Sequence, residues 1–134
     1  MSEKQKLFIV DDSELNRDIL KEILGSSYDY LEAENGTQAI QILEVHPEID
    51  LMLLDINMPQ MNGFQVLEHM RELQWIDEVP VVMISSEESV EIMRKAYDLG
   101  ITDYISRPFD AVIVKKRVQN TLGLYANQKR LINV

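Results

Sequence analysis

The sequence predicts a doubly wound α/β domain, (βα)5, with five parallel strands in one sheet and helices on both faces. Apolar runs of strand length alternate with segments of helical period about five times along the chain. The run "IDLMLL" (residues 49–54) lacks the polar alternation of a half-exposed strand, as a central parallel strand covered on both faces requires. No Pro/Gly/Ser-rich linker interrupts the 134 residues, a length that suits a single domain with a real core.

The elements follow in order. "LFIV" (7–10) is a short buried strand. Ser13 to Leu24 has helical period, with Leu15, Ile19 and Ile23 four apart on one stripe, and Gly25 suits its C-terminal stop. "YDYLEA" (28–33) alternates as a strand, and a helix from about Gly36 to Val45 ends near His46-Pro47. The strand 49–54 leads into the loop "DINMPQMNG" and a helix from about Gly63 to Leu73 that turns Val66, Leu67 and Met70 inward. "VPVVMI" (79–84) is the fourth strand, Glu88 to Leu99 the fourth helix with Gly100 as its cap, and "DYIS" (103–106) the fifth strand. A long helix starts at Asp110, with Val114, Val118 and Leu122 at spacing four. Strict strand-helix alternation implies right-handed crossovers around a parallel sheet.

Composition removes several function classes. Lys plus Arg number 13 against 23 Asp plus Glu, so the formal net charge is −10, which disfavours nucleic acid and anionic membrane as direct partners. A bound cation or a basic partner suits it better. Without cysteine there is no disulfide framework, thiol nucleophile or thiolate metal site. "MSEKQKLFIV" holds no apolar stretch long enough for a signal peptide or membrane span, so the expected location is the cytoplasm.

In doubly wound sheets ligands sit at the carboxyl ends of the strands, where the winding reverses. Here those ends carry Asp11-Asp12, Asp55, Ser85-Ser86 and Ser106-Arg107-Pro108. With strand order 2-1-3-4-5 the first and third strands are neighbours, and three carboxylates converge. They repel unless a cation sits among them. Mg²⁺ suits the set, being a hard ion that takes oxygen ligands and keeps several waters. An anion on that metal would meet the Ser85 hydroxyl and the Arg107 guanidinium, an arrangement made for a phosphoryl group. Each residue alone has a plain structural use: Asp12 or Ser13 as a helix N-cap, Ser85 and Ser86 as a cap, Arg107-Pro108 as a turn. Agreement among four strand ends favours the chemistry.

Taken together, "FIVDDSELNR", "LLDINMPQMNGF", "PVVMISS" and "GITDYISRPF" resemble the receiver domain of bacterial two-component response regulators, in its chemotaxis-receiver-like form, over essentially the whole chain. The resemblance implies a flavodoxin-like receiver fold for residues 1–122, with 123–134 extending the fifth helix toward an output domain or another chain. The length of that helix favours a receiver cut from a longer regulator, although Gly123 is a candidate stop. Asp55 would be the phosphoacceptor, taking the phosphoryl group from the phosphohistidine of a sensor histidine kinase or phosphotransfer protein. Asp12, Asp55 and the backbone carbonyl of Asn57 would ligate Mg²⁺ directly, with Asp11 acting through a bound water. Ser85 would swing toward the phosphoryl oxygens, and Tyr104 would rotate inward as the switch aromatic. Asn57 and Glu87 would set the lifetime of the phosphoryl group. The Arg107-Pro108 peptide would be cis. The remodelled face would be the fourth helix, fifth strand and fifth helix, acting on a downstream output domain or effector, or as a dimer surface. Such a domain catalyses its own phosphorylation and dephosphorylation and is not a turnover enzyme. The sequence departs from the family in one place: Arg107 stands where a lysine is usual, and its planar fork differs from a point charge.

Rivals fare less well. A receiver-like module that binds partners without phosphorylation has only Arg107 in its favour. A flavodoxin-type cofactor binder needs a Ser/Thr/Gly phosphate loop where "DDSEL" stands, and a haloacid-dehalogenase-type phosphatase needs an acid where Asn57 stands. A histidine phosphotransfer protein would be a helical bundle.

Overall fold

The computed structural model describes residues 4–86 and 89–132, with the side chains of the last helix described as far as Tyr125. Five parallel strands, β1 (Gln5–Val10), β2 (Tyr28–Ala33), β3 (Leu51–Asp55), β4 (Val81–Ser85) and β5 (Asp103–Ser106), form one sheet in the order β2-β1-β3-β4-β5. Between and after them run α1 (Glu14–Leu24), α2 (Gly36–Val45), α3 (Gly63–Glu72), α4 (Val90–Asp98) and α5 (Ala111–Ile132), with a short 3-10 turn at Trp75–Asp77. Among the described residues, no helix is long and apolar enough to cross a membrane.

The alternation within each strand divides the core in two. Phe8, Val10, Met52, Leu54, Val81 and Met83 face α2, α3 and α4, which contribute Leu43, Val66, Leu67, Met70 and Ala96. Leu7, Ile9, Leu51, Leu53, Val82 and Ile84 face α1 and α5, which contribute Leu20, Leu24, Val114, Val118 and Leu122. β3 and β4 are buried throughout, so their ends deliver side chains into a site walled by protein on both sides.

Two expectations shift. Spacing put Leu15, Ile19 and Ile23 on the inner stripe of α1, but the fully buried residues are Leu20 and Leu24, and Leu15 is exposed. Both series have a period of four, and the contact with α5 selects the second. β3 and β4 each end one residue later than the apolar runs suggest, which makes Asp55 and Ser85 the last residues of their strands. The last helix passes through Gly123 without a break, as an extension of the fifth helix beyond residue 122 requires. A Cβ at Gly123 would meet nothing within 4 Å.

Candidate functional site

Capping sets the loops around the site. Ser13 is the N-cap of α1, its side chain accepting from the Asn16 N–H at 3.2 Å. Asp11 remains in the strand direction, its N–H donating to the Ala33 carbonyl at 3.1 Å and its Oδ1 accepting from the Ser13 N–H at 2.9 Å. After β3, the loop returns so that the Gly63 N–H meets the Ile56 carbonyl at 2.8 Å, and an Asn62/Gln65 capping box opens α3. Only a glycine fits at 63, because a Cβ there would lie 2.6 Å from the Asp55 carbonyl oxygen. The Arg107 N–H donates to the Ser85 carbonyl at 3.0 Å, tying the end of β5 to that of β4, and the Arg107–Pro108 peptide is cis.

These constraints bring Asp11, Asp12 and Asp55 together, one oxygen of each lying within 4.8 Å of the others. Asp11 and Asp55 are buried, 0% and 1% exposed, whereas Asp12 faces solvent. The Asp55 Oδ1 accepts from the Asn57 N–H at 3.2 Å. Its Oδ2 has no hydrogen-bond partner among the described residues, although the Arg107 Nη2 stands 3.3 Å away. Distance makes that an ion pair, and misalignment keeps it from being a hydrogen bond. The guanidinium instead donates to the Asp11 Oδ2, leaving its own Nε buried without an acceptor among the described residues.

Burial pushes the Asp55 carboxyl up to about 6, with the neighbouring Asp11 adding to the rise and Arg107 and the Asn57 N–H opposing it. Asp11 is raised as well, chiefly by burial, against the Ser13 N–H and Arg107. Two buried acids held above their usual range, one with an oxygen left over, form a donor set that a divalent cation fits: hard oxygens, negative in sum and short of positive charge.

Ser85 is fully buried at the end of β4. Tyr104 is 4% exposed and belongs to the core cluster beside α4. Asn57 is exposed beside Asp55. Glu87 lies outside the described residues. Two residues at the site were not read from the sequence. Gly63 acts through backbone proximity, and Arg17 reaches back from α1 to the Asp11 carbonyl oxygen at 2.6 Å. For Gly63 the turn signal "MNG" was a usable clue. Arg17 carried none, because its contact is to a main-chain atom.

A five-stranded doubly wound sheet with a buried aspartate at the end of its third strand, two further aspartates beside it and a cation opposite defines a phosphoacceptor signalling domain. The chain matches the response regulator receiver domain family over residues 7–119 and belongs to it. The chemotaxis protein CheY homolog of Campylobacter jejuni is 32% identical over 120 residues, spanning 88% of this chain and 92% of that protein. The solved structure of the Vibrio cholerae chemotaxis protein CheY4 aligns with a TM-score of 0.81 at 26% identity, covering 89% of this chain and 99% of that one. A probable cyclic di-GMP phosphodiesterase of Vibrio cholerae is 32% identical over 127 residues, which are 95% of this chain and 29% of the longer protein. The chain is thus a response regulator receiver, a signalling module of the two-component type. Receivers bind Mg²⁺ at an acidic cluster, and Asp11, Asp12 and Asp55 form one here.

Proposed function

We propose that this receiver, in the cytoplasm, takes a phosphoryl group onto Asp55 from the phosphohistidine of a sensor histidine kinase or phosphotransfer protein and relays it to an output domain or effector. The observation that carries this reading is the buried Asp55 Oδ2, without a hydrogen bond among the described residues, facing Arg107 and two other aspartates. At pH 7 a carboxyl raised to about 6 is mostly ionised and poorly solvated, a fair nucleophile. Its oxygen forms a bond to phosphorus as the phosphorus-nitrogen bond breaks, and the electron pair stays with the departing imidazole. Bound by Asp12, Asp55 and the Asn57 carbonyl, with Asp11 through a water, Mg²⁺ would neutralise charge on the transferring oxygens. Arg107 would exchange Asp11 for a phosphoryl oxygen, and the Ser85 hydroxyl would donate to another.

Phosphate adds roughly −1.5 to −2 of charge to this end of the sheet. Movement of Ser85 and of Arg107, tied to each other through the main chain, would pass to α4, β5 and α5. That face exposes Val90, Tyr97, Val112 and Ile113, a surface for an effector or a second copy. With Tyr104 already inside, activation would secure the inward ring by shifting a population rather than by turning it from outside. Asn57 and Glu87 would border the path of the hydrolytic water and set the lifetime.

Treatment with Mg²⁺ and phosphoramidate should add one phosphoryl group to the intact mass of the wild type and none to Asp55→Asn. Wild-type labelling of that variant, or labelling undiminished in EDTA, overturns the reading.

A further inference from the structure

Building on the proposed metal site, we infer that Arg17 is a positioning residue for the acidic cluster: its guanidinium, held by Glu32, fixes the peptide that joins Asp11 to Asp12. The need for such a residue follows from the sheet. Pairing of β1 with both neighbours ends at Val10, opposite Ala33 on one side and Leu54 on the other. The Asp11 carbonyl therefore lies beyond the ladder, at a place where the residue itself is fully buried. A main-chain oxygen in that setting requires a donor. Arg17 supplies it, with Nη1 at 2.6 Å from the Asp11 oxygen.

That carbonyl shares a rigid planar unit with the Asp12 N–H and Cα, so fixing it fixes the N–Cα axis about which the Asp12 side chain is set. The other groups of Asp11 are already committed: its N–H to Ala33, its Oδ1 to the Ser13 N–H and its Oδ2 to Arg107. The Arg17 N–H also bonds the Ser13 carbonyl at 3.1 Å, so one residue spans the Asp11–Ser13 turn through both main chain and side chain. On the far side its Nε donates to the Glu32 Oε1 at 3.0 Å, and the Glu32 Oε2 receives the Lys21 ammonium at 2.9 Å. The fork is thereby aimed from behind. The Arg17 side chain is 13% exposed, too enclosed for a solvated surface pair.

A stabilising ion pair between α1 and β2 would give the same contacts to Glu32, but it makes a different prediction for the metal. Arg17 is a positive charge bonded to the main-chain oxygen of one of the three aspartates. By Coulomb's law alone its removal strengthens cation binding; loss of the Asp11–Asp12 geometry weakens it. The sign of the change separates the two. Lysine keeps the charge, yet a single ammonium does not reproduce the fork that joins Glu32 to the carbonyl.

The test is titration of the full chain with Mn²⁺ standing in for Mg²⁺, read by electron paramagnetic resonance below the unfolding transition of every variant. Arg17→Ala should bind Mn²⁺ about tenfold more weakly than wild type, in the range found for residues that orient metal ligands. Arg17→Lys and Glu32→Gln should fall between the two, and they carry the test if the alanine variant does not fold. Affinity equal to or tighter than wild type in these variants overturns the inference, even where their melting temperatures fall. Asp12→Ala distinguishes the two levels of the argument. Loss of Mn²⁺ there with wild-type binding in the Arg17 variants overturns the positioning role alone, whereas wild-type binding in all of them overturns the metal site as well.

Discussion

The two ends of the sheet use the same residue types to opposite effect. At the carboxyl end Asp11 and Asp55 are buried beside Arg107, and Asp55 is pushed up to about 6. At the amino end Lys6, His46, Glu48 and Asp50 also bring acids and cations together, with the Lys6 Nζ 3.2 Å and the His46 Nδ1 2.7 Å from the Glu48 Oε1. There the hydrogen bond from His46 holds Glu48 down to about 2, and the side chain is 46% exposed. A cleft of about 620 Å³ lies at this end and is lined by Lys4, Gln5, Lys6, Asp29, Glu48 and Asp50. Size does not make it the reactive site. Its charges are met by partners and water, whereas the carboxyl end holds charge that protein has desolvated and only half compensated.

The largest effect should come from removing that charge. Asp55 titrates higher in the fold than its ordinary 3.8, so the folded state binds the proton more tightly. The associated stability is fully present below about pH 4 and is lost as pH rises through about 6. Without divalent ions at pH 7, Asp55→Asn should therefore be more stable than wild type, by up to about 3 kcal/mol at 1.36 kcal/mol per pH unit. In urea titrations with EDTA the gain should shrink toward zero at pH 4. A gain that does not change with pH would mean that burial is not what holds Asp55 up.

Next in size is the loss of the cation. Arg107→Ala leaves Asp11 and Asp55 without their only ion-pair partner among the described residues, and should cost about 2 kcal/mol at pH 7 in EDTA, below the full cost of breaking a buried pair because Arg107 is 22% exposed. Millimolar Mg²⁺ should restore most of it by linkage. Lys6→Ala, the counterpart at the amino end, should leave the urea midpoint unchanged. Equal losses at the two ends would break the comparison.

How legible each end was depends on what carries the information. The five strands, and Val66, Leu67 and Met70 in the core, follow from apolar pattern, because burying that surface dominates the choice of fold, whereas the strand order came with the family resemblance. Asp11, Asp12 and Asp55 were legible because a carboxylate ending an apolar run stands out and topology places the runs side by side. Periodicity failed in α1, where Leu15 and Leu20 belong to competing stripes that only packing separates. The helix runs on past Gly123, as the apolar residues beyond it suggested, and its exposed backbone there absorbs a penalty of about 1 kcal/mol. Arg17, whose role passes through a main-chain oxygen, left no pattern to read, and Gly63 left only the turn signal "MNG". The burial of Tyr104 depends on packing beside α4, which its place in the sequence does not encode.

Glycines offer a finer comparison. Gly63→Ala forces a methyl against the Asp55 carbonyl and the Ile56 Cα, and should cost between about 1 and 2 kcal/mol while slowing phosphorylation from phosphoramidate. Gly25, between α1 and β2 at the amino end, has φ +88° with open space for a Cβ. Gly25→Ala should cost about 1 kcal/mol through backbone strain and leave the phosphorylation rate unchanged. A slowed rate in Gly25→Ala would show that the ends communicate through the sheet.

The smallest effect is expected from Glu48→Gln, and its value lies in where on the pH axis it appears. Glu48 titrates lower in the fold than its ordinary 4.5, so its contribution to stability is present above about pH 4.5 and is lost as pH falls through about 2. Its exposure leaves the charge largely to solvent, and the urea midpoint at pH 7 should differ little from wild type. The difference should stay flat between pH 7 and 4.5, the interval in which Asp55→Asn changes most, and should close only in stronger acid. Adding salt should reduce it further, because an exposed pair is screened and a buried one is not. If Glu48→Gln instead varied steeply between pH 7 and 4.5, the amino-end acids would be desolvated too, and burial would no longer distinguish the reactive end of this sheet from the other.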